Sequence, residues 1–172
     1  MIAAMETVAF ESLLELPRLR VGSAGAVMVT YFDGLGELSG VMRVQQTALA
    51  LARKRARPVG SIVIVGDGKS TVNGGDNSAR SEFMRLMKEV DAHIFATSVV
   101  IASQGFGGAA LRAFVSGVAL AARPPYPLRV FDAFASARDW MLSQPSIVAE
   151  RGALTRALDE GYSGYARAFA GS

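Results

Sequence analysis

The stretch from Ala92 to Trp140 constrains the fold most, because strand and helix patterns alternate in it with clear boundaries. His93–Ala102 is a continuous, largely apolar and β-branched run, which is typical of a strand buried on both faces. Glycines break this run, residues 109–122 have helical spacing, and the prolines that follow end the helix because proline lacks an amide donor. Leu128–Phe131 predicts a short strand, and Asp132 can cap a further helix. The stretch therefore predicts a β-α-β-α unit.

Strand and helix patterns also alternate in the preceding part of the chain. Residues 18–21 and 26–32 predict the two strands of a hairpin around a glycine-containing turn. Ser39 to about Ala56 predicts a helix, and Ser61–Val65 a buried strand. Residues 78–90 have the apolar spacing of an amphipathic helix.

The two ends of the sequence are less regular. The apolar pattern of residues 1–17 fits neither a helix nor a strand well. We interpret these residues as an N-terminal arm, either a short helix or an irregular segment, that ends at Pro17. Residues 146–172 have apolar side chains mostly three or four apart and predict an amphipathic helical extension. The sequence therefore predicts an α/β sandwich over residues 18–142, a mostly parallel sheet with helices, an N-terminal hairpin at one edge and an extra C-terminal helix.

Composition excludes several classes of protein. The chain has 172 residues, 51% hydrophobic and 19% charged, which is typical of one globular domain and not of a disordered chain. The absence of cysteine excludes a disulfide framework, a thiol nucleophile and thiolate metal sites, and suits the reducing cytoplasm, where we expect the protein. The net charge of +3 is too small to indicate nucleic-acid binding.

No signal peptide or membrane span is expected. The N-terminus lacks the basic and apolar regions of a signal peptide. Residues 105–122 are mostly apolar, but they contain Arg112 and follow a strand directly, which favours a buried helix over a span.

The catalytic motifs in the sequence are incomplete. Gly68-Lys69-Ser70 looks like the end of a phosphate-binding loop, but Val63 stands where the first glycine is required. Ser103 follows a strand as a nucleophile would, but Ile101 replaces the glycine before it, and the single histidine, His93, precedes it. One histidine and no cysteine exclude an ordinary zinc site. We therefore expect no catalytic residues, no bound metal and no cofactor.

One alternative remains a nucleotide-binding enzyme. Gly105-x-Gly107-x-x-Ala110 lies between a strand and a helix, and Asp132 follows the next strand, where an acid could bind a ribose. The motif follows a strand that comes late in the chain, however, and Asp132 is far from the glycines along the sequence. Glycines that permit a tight turn and a close approach of the helix explain the pattern more simply.

Two polar segments are candidate surfaces. Gly66–Asn77 is a long, glycine-rich loop, and such loops are usually functional or mobile. It contains Asp67 and Asp76, which leave open a magnesium site that nothing else in the sequence supports. The basic run from Arg53 to Arg57 complements the C-terminus of its helix, and this interpretation is favoured over an anion-binding or partner-docking patch.

The chain resembles the STAS family (sulphate transporter and anti-sigma-factor antagonist), in particular its uncharacterised bacterial members. Residues 112–117 (RAFVSG), 122–127 (ARPPYP) and 130–140 carry the resemblance, and the order of elements extends it over residues 18–142. The family implies a non-enzymatic module that binds other proteins and is often switched by phosphorylation of a serine at the start of the helix after the third strand.

The resemblance implies a binding and switch site at Lys69, Asp76, Asn77 and Ser78. Asp76 and Ser78 match the family's switch motif, and Ala79 replaces its glycine, so the switch is degenerate. Asn77 or Ser78 also suits a simple helix cap. The implied partner is another protein, or a second copy of this one, with no nucleic acid and no membrane span.

A second alternative is a structural protein that forms homo-oligomers. In this hypothesis the C-terminal helix, with Tyr162, Tyr165 and Phe169, packs on a second copy and not on its own sheet.

Overall fold

The structure is a computed structural model that describes residues 8–34, 38–68, 77–105, 108–109, 112–113, 116–117 and 123–170. Its strands are β1 Phe10–Leu16, β2 Leu19–Ala24, β3 Val27–Phe32, β4 Val59–Val65, β5 Ile94–Ile101 and β6 Leu128–Phe131. Its helices are α1 Leu38–Arg55, α2 Asn77–Asp91, α3 Phe134–Leu142 and α4 Arg151–Phe169, with a short 3-10 helix at Val148–Glu150. Between β5 and β6, Gly105 and the described residues from 108 to 117 are helical.

The strands form one sheet in the order β1-β2-β3-β4-β5-β6. The pairs β1–β2 and β2–β3 are antiparallel, and β3, β4, β5 and β6 are parallel to one another. The α/β class and the mostly parallel sheet are therefore confirmed. The predicted hairpin is also present as β2 and β3, but β1 and not the hairpin forms the edge of the sheet. The turn of the hairpin lies at Gly25, whose φ of +55° suits glycine. Gly22 instead lies within β2, where a Cβ atom would overlap the ring of Phe10.

The interpretation of residues 1–17 as a helical or irregular arm is wrong for residues 10–16. These residues form β1, which pairs with β2 from Phe10 opposite Ala24 to Leu16 opposite Leu19. The register shifts between Ser12 and Leu14, so the apolar residues do not alternate strictly along the strand. This irregularity explains why the sequence pattern fits strand and helix equally poorly. Residues 1–7 lie outside the described residues.

Helices cover both faces of the sheet. α1 and α2 pack on one face with Leu19, Val21, Met28 and Phe32, and we call this the α1 face. α3 and α4 pack on the other with Val27, Val29, Ile62 and Ile64, and we call this the α4 face. The alternation along β3, with Val27 and Val29 on the α4 face and Met28 on the α1 face, is the period of two of a strand.

The C-terminal helix packs on its own sheet, which corrects the hypothesis that it leaves this sheet for a second copy. Tyr165 meets Phe10 of β1 edge to face at 5.5 Å between ring centroids, and Phe169 stacks on Tyr31 of β3 at 5.2 Å. Tyr162 stacks on Phe134 of α3 at 4.1 Å. The apolar face of the helix is thus used within the chain. That Tyr162, Tyr165 and Phe169 also contact a partner protein stays a prediction.

The basic end of α1 contacts acidic and carbonyl groups of the same chain. Lys54 Nζ lies 2.9 Å from Glu11 Oε1, and Arg57 Nη1 lies 2.9 Å from Glu150 Oε1. Arg57 also donates to the backbone carbonyl of Ser146, which ties the end of α1 to the start of the C-terminal segment. These contacts give Lys54 and Arg57 a structural role within the chain, and the predicted complement to the helix C-terminus stays a prediction. No helix within the described residues is long and apolar enough to cross a membrane.

Candidate interaction surface at the carboxyl ends of the parallel strands

Each parallel strand ends at the same edge of the sheet, and polar residues follow all of them. Asp33 comes after β3, Asp67 after β4, Ser103 after β5 and Asp132 after β6. We call these four residues the carboxyl-end surface. In open α/β sheets this edge is where ligands and partners usually bind, because the loops there are free of the packing that holds the strands.

A hydrogen bond connects the loops after β4 and β5. The Ser103 hydroxyl donates to Asp67 Oδ1 at 2.6 Å, a distance typical of a charge-assisted bond. Arg112 Nη1 donates to the carbonyl oxygens of Ser103 at 3.0 Å and of Ile101 at 3.1 Å. Gly108 packs so closely against Ser103 that a Cβ atom there would overlap the Ser103 carbonyl. The backbone of Ser103 is therefore held from two sides, and its hydroxyl is directed at Asp67.

The loops after β3 and β4 also touch. A Cβ atom at Gly68 would overlap both the side chain and the backbone carbonyl of Asp33, so only glycine fits there without movement. Arg18 donates from its guanidinium to the Asp33 carbonyl, which fixes the turn after β3. Gly68 therefore serves the close packing of these two loops.

Tyr31 of β3 lies beside this surface. Its hydroxyl is near Gly66, where an added Cβ atom would lie 3.1 Å from the Tyr31 oxygen. Burial raises the pKa of Tyr31, and the charges of Tyr162, Asp33 and Asp67 act in the same direction. The phenol therefore stays protonated well into the alkaline range and offers a neutral hydroxyl next to two carboxylates.

A cleft of about 580 Å³ adjoins the end of β6 on the α4 face. It is lined by Gln104, Asp132, Arg138, Asp159, Tyr162 and Ser163, among others. Arg138 donates to Asp159 Oδ1 at 2.5 Å and to Asp139 Oδ1 at 2.9 Å, so its positive charge is balanced by two carboxylates. Asp132 is exposed and forms no ion pair within the described part of the chain.

The structure places the predicted switch site only in part. Asn77 and Ser78 are the first two residues of α2, and nothing is described of their side chains. Lys69 and Asp76 lie outside the described residues. The described start of the predicted loop, Gly66 to Gly68, reaches Asp33 and Ser103, so this loop begins on the carboxyl-end surface.

The glycines of the nucleotide-binding alternative have separate structural roles. Gly105 has a φ of +77°, which glycine adopts without strain, at the point where β5 gives way to helix. Gly107 lies outside the described residues. The close approach to the loop after β5, at Ser103, is made by Gly108, which the fingerprint does not include. These findings favour the simpler explanation, a turn followed by close packing.

The Asp67–Ser103 pair was missed by sequence reasoning. In the sequence, Ser103 suggests only a nucleophile and Asp67 only a metal ligand. Both residues directly follow neighbouring parallel strands, and that position is the signal that could have paired them. Among the described residues there is no group of three or more histidine, cysteine, aspartate or glutamate side chains that could hold a metal ion.

Comparison of the chain with models of protein families, with curated proteins and with solved structures finds no significant match. The family resemblance therefore stays a prediction that rests on the residues quoted for it.

Proposed function

We propose that the chain is a non-catalytic, STAS-like protein-interaction module that presents its carboxyl-end surface and the first turn of α2 to a partner protein. The observation that carries this proposal is the hydrogen bond from Ser103 to Asp67. It joins the end of β5 to the start of the loop that leads into α2, so a partner would meet the two loops as one surface.

The charges at this surface support a partner with a basic face. Asp33, Asp67 and Asp132 form no ion pair within the described part of the chain, and Asp67 and Asp132 are exposed. The nearby guanidinium of Arg138 is already balanced. Opposite charge across an interface steers association and excludes wrong partners.

Phosphorylation of Ser78 would act on the same surface. A phosphate at the first turn of a helix is stabilised by the free backbone N–H groups and the helix dipole. It would add about 1.5–2 negative charges to an edge that already carries three carboxylates. Partner affinity would therefore depend on the modification, as expected of a switch.

A capture experiment tests this function. Tagged wild-type protein and the variants Ser78→Asp, Asp67→Lys and Arg55→Glu are used to retrieve partners from the native lysate. Arg55 is an exposed residue in the last turn of α1, at the opposite end of the strands from the carboxyl-end surface, and serves as the matched control. We expect a partner that Arg55→Glu retains and that Asp67→Lys loses, with Ser78→Asp changing its recovery.

Thermal unfolding of each variant accompanies the capture, so that loss of a partner is not caused by loss of the fold. A partner that binds all four proteins equally would contradict the proposed surface. A partner lost only with Arg55→Glu would move the interface to the basic end of α1.

A further inference from the structure

β1 is the outermost strand of the sheet. One of its sides pairs with β2, and its other side has no strand partner among the described residues. The outward backbone N–H and C=O groups of such a strand are free to pair with another chain. Natural proteins often cover, shorten or bend an edge of this kind. β1 is irregular between Ser12 and Leu14, so pairing with another chain would use the regular stretches on either side of this register shift.

A groove lies beside β1 on each face of the sheet. On the α4 face, a cavity of about 880 Å³ lies beside β1 and α4. Its lining includes Phe10, Ala157, Gly161, Gly164 and Ala168 and the charged residues Glu15, Arg20, Arg156 and Glu160. On the α1 face, a smaller cavity of about 420 Å³ lies between β1 and α1, with Leu13, Leu14, Arg43 and Lys54 in its lining. Successive side chains of a strand point to opposite faces, so a strand added beside β1 would fill both grooves alternately.

The charge of the groove on the α1 face indicates what this strand carries. Its charged lining residues are Arg43 and Lys54, with no acid among them. Arg43 forms no ion pair within the described residues. An acidic side chain on the α1 face of the added strand would therefore be stabilised. On the α4 face, the small residues in the lining, among them Ala157, Gly164 and Ala168, leave room for a bulky side chain next to it.

β1 itself has an acidic side chain on the α1 face next to a bulky apolar side chain on the α4 face. Glu11 lies on the α1 face, where Lys54 contacts it, and the neighbouring Phe10 lies on the α4 face against Tyr165. A two-fold axis perpendicular to the sheet reverses the direction of a strand and keeps each face on its own side. It would bring the partner's Glu11 to the groove with Arg43, and the partner's Phe10 to the groove beside α4. We infer that β1 pairs antiparallel with β1 of a second copy, which continues the sheet across a symmetric dimer.

This dimer is closed, because the pairing uses the same edge of both copies and leaves β6 as the outer edge on each side. The carboxyl-end surface lies at the strand ends and not along β1. It stays open in the dimer, so the inference is independent of the proposed function and goes beyond it.

A charge-swap experiment tests the dimer. The mass of the intact protein in solution is measured over a range of concentrations by light scattering and analytical ultracentrifugation. We expect a dimer for the wild type, and an about tenfold or larger increase in the dissociation constant for Glu11→Lys, because the change places like charges beside Arg43. The double variant Glu11→Lys/Arg43→Glu should restore the dimer, which a merely structural role of Glu11 would not explain. Arg129→Glu, at the opposite edge strand, is the control and should stay dimeric.

Amide hydrogen exchange of the wild type keeps the test decisive if a variant fails to fold. Backbone amides of residues 10–16 should become more protected as the protein concentration rises. A monomeric wild type, a dimer unaffected by Glu11→Lys, or protection that does not change with concentration would each overturn the inference. An extended segment of a different protein that protects these amides in a monomeric chain would also overturn it.

Discussion

Single residues at the carboxyl-end surface decide how closely neighbouring loops approach. Gly68 fits against Asp33 and Gly108 against Ser103 only because neither has a Cβ atom. The Asp67–Ser103 hydrogen bond then joins the loops of two adjacent strands. The chemistry of this surface, a directed hydroxyl beside exposed carboxylates, is therefore a consequence of close backbone packing beneath it.

A second residue-scale feature lies at the other end of β6. Tyr126 packs against the core of the α1 face just before this strand. Burial raises the pKa of Tyr126 to about 12, and the negative charge of Asp91 and a hydrogen bond with it act in the same direction. The phenol is thus held neutral in the folded chain at pH values where it ionises in the unfolded chain.

This shift predicts how stability depends on pH. Above a pH of about 10 the unfolded chain releases the Tyr126 proton while the folded chain keeps it, so the unfolded state binds fewer protons. The free energy of unfolding should therefore decrease as pH rises from about 10 towards 12. Denaturant titrations at a series of pH values measure this decrease. Tyr126→Phe should make it smaller, and an equal decrease in that variant would show that Tyr126 does not cause it.

At the scale of elements, α4 is positioned by small residues that face β1. A Cβ atom at Gly161 would overlap the ring of Phe10, whereas nothing lies within 4 Å of the Cβ position at Gly164. Both glycines are within the same helix, but only the first is needed for packing. The glycines that interrupt the apolar pattern in the sequence therefore have different roles.

The two glycines provide a matched pair of substitutions. Gly161→Ala should lower the free energy of unfolding by about 1–3 kcal/mol, since the added methyl group forces the Phe10 ring to move. Gly164→Ala should raise it by roughly 0.5–1 kcal/mol, because alanine favours the helix and meets no obstacle. Equilibrium denaturation by urea measures both values. Equal effects of the two changes would mean that α4 does not pack on β1 as described.

At the scale of the whole molecule, residues 146–170 belong to the same core as the sheet. Ile147, Leu154 and Leu158 are fully buried in the cluster that contains Val27, Ile62 and other sheet residues. A segment that reads as an extension in the sequence thus completes the α4 face. The chain is a three-layer α/β/α arrangement, with helices on both faces of one sheet.

A shortened chain tests this conclusion. A protein that ends at Pro145 loses these three fully buried side chains, each worth about 1.5–3 kcal/mol, against a total stability of about 5–15 kcal/mol for a typical domain. We expect it to lack a cooperative unfolding transition in circular dichroism. A protein that ends at Ala170 should unfold like the wild type. A cooperative transition in the shorter chain would show that residues 146–172 are a separable extension.

Much of the parallel part of the sheet could be predicted from the sequence. β4, β5, β6, α1 and α2 lie within two residues of the predicted ranges, because their signals are local: continuous apolar runs, helical spacing and proline breaks. The start of the candidate surface was also predicted, since a long polar loop after a buried strand is visible in the sequence. The hydrogen bond between Asp67 and Ser103 could not be predicted, because these residues are 36 positions apart and meet only when β4 and β5 align.

The sequence by itself determined which segments are buried strands, which are helices and where polar loops leave them. Only the tertiary structure decided that residues 10–16 are a strand, because an irregular edge strand is stabilised by its ladder with β2 and by α4 above Phe10, not by its own pattern. It also decided that Tyr162, Tyr165 and Phe169 face their own sheet. An apolar helix face must pack on another surface, and the sequence of the helix does not show whether that surface belongs to its own sheet or to another chain.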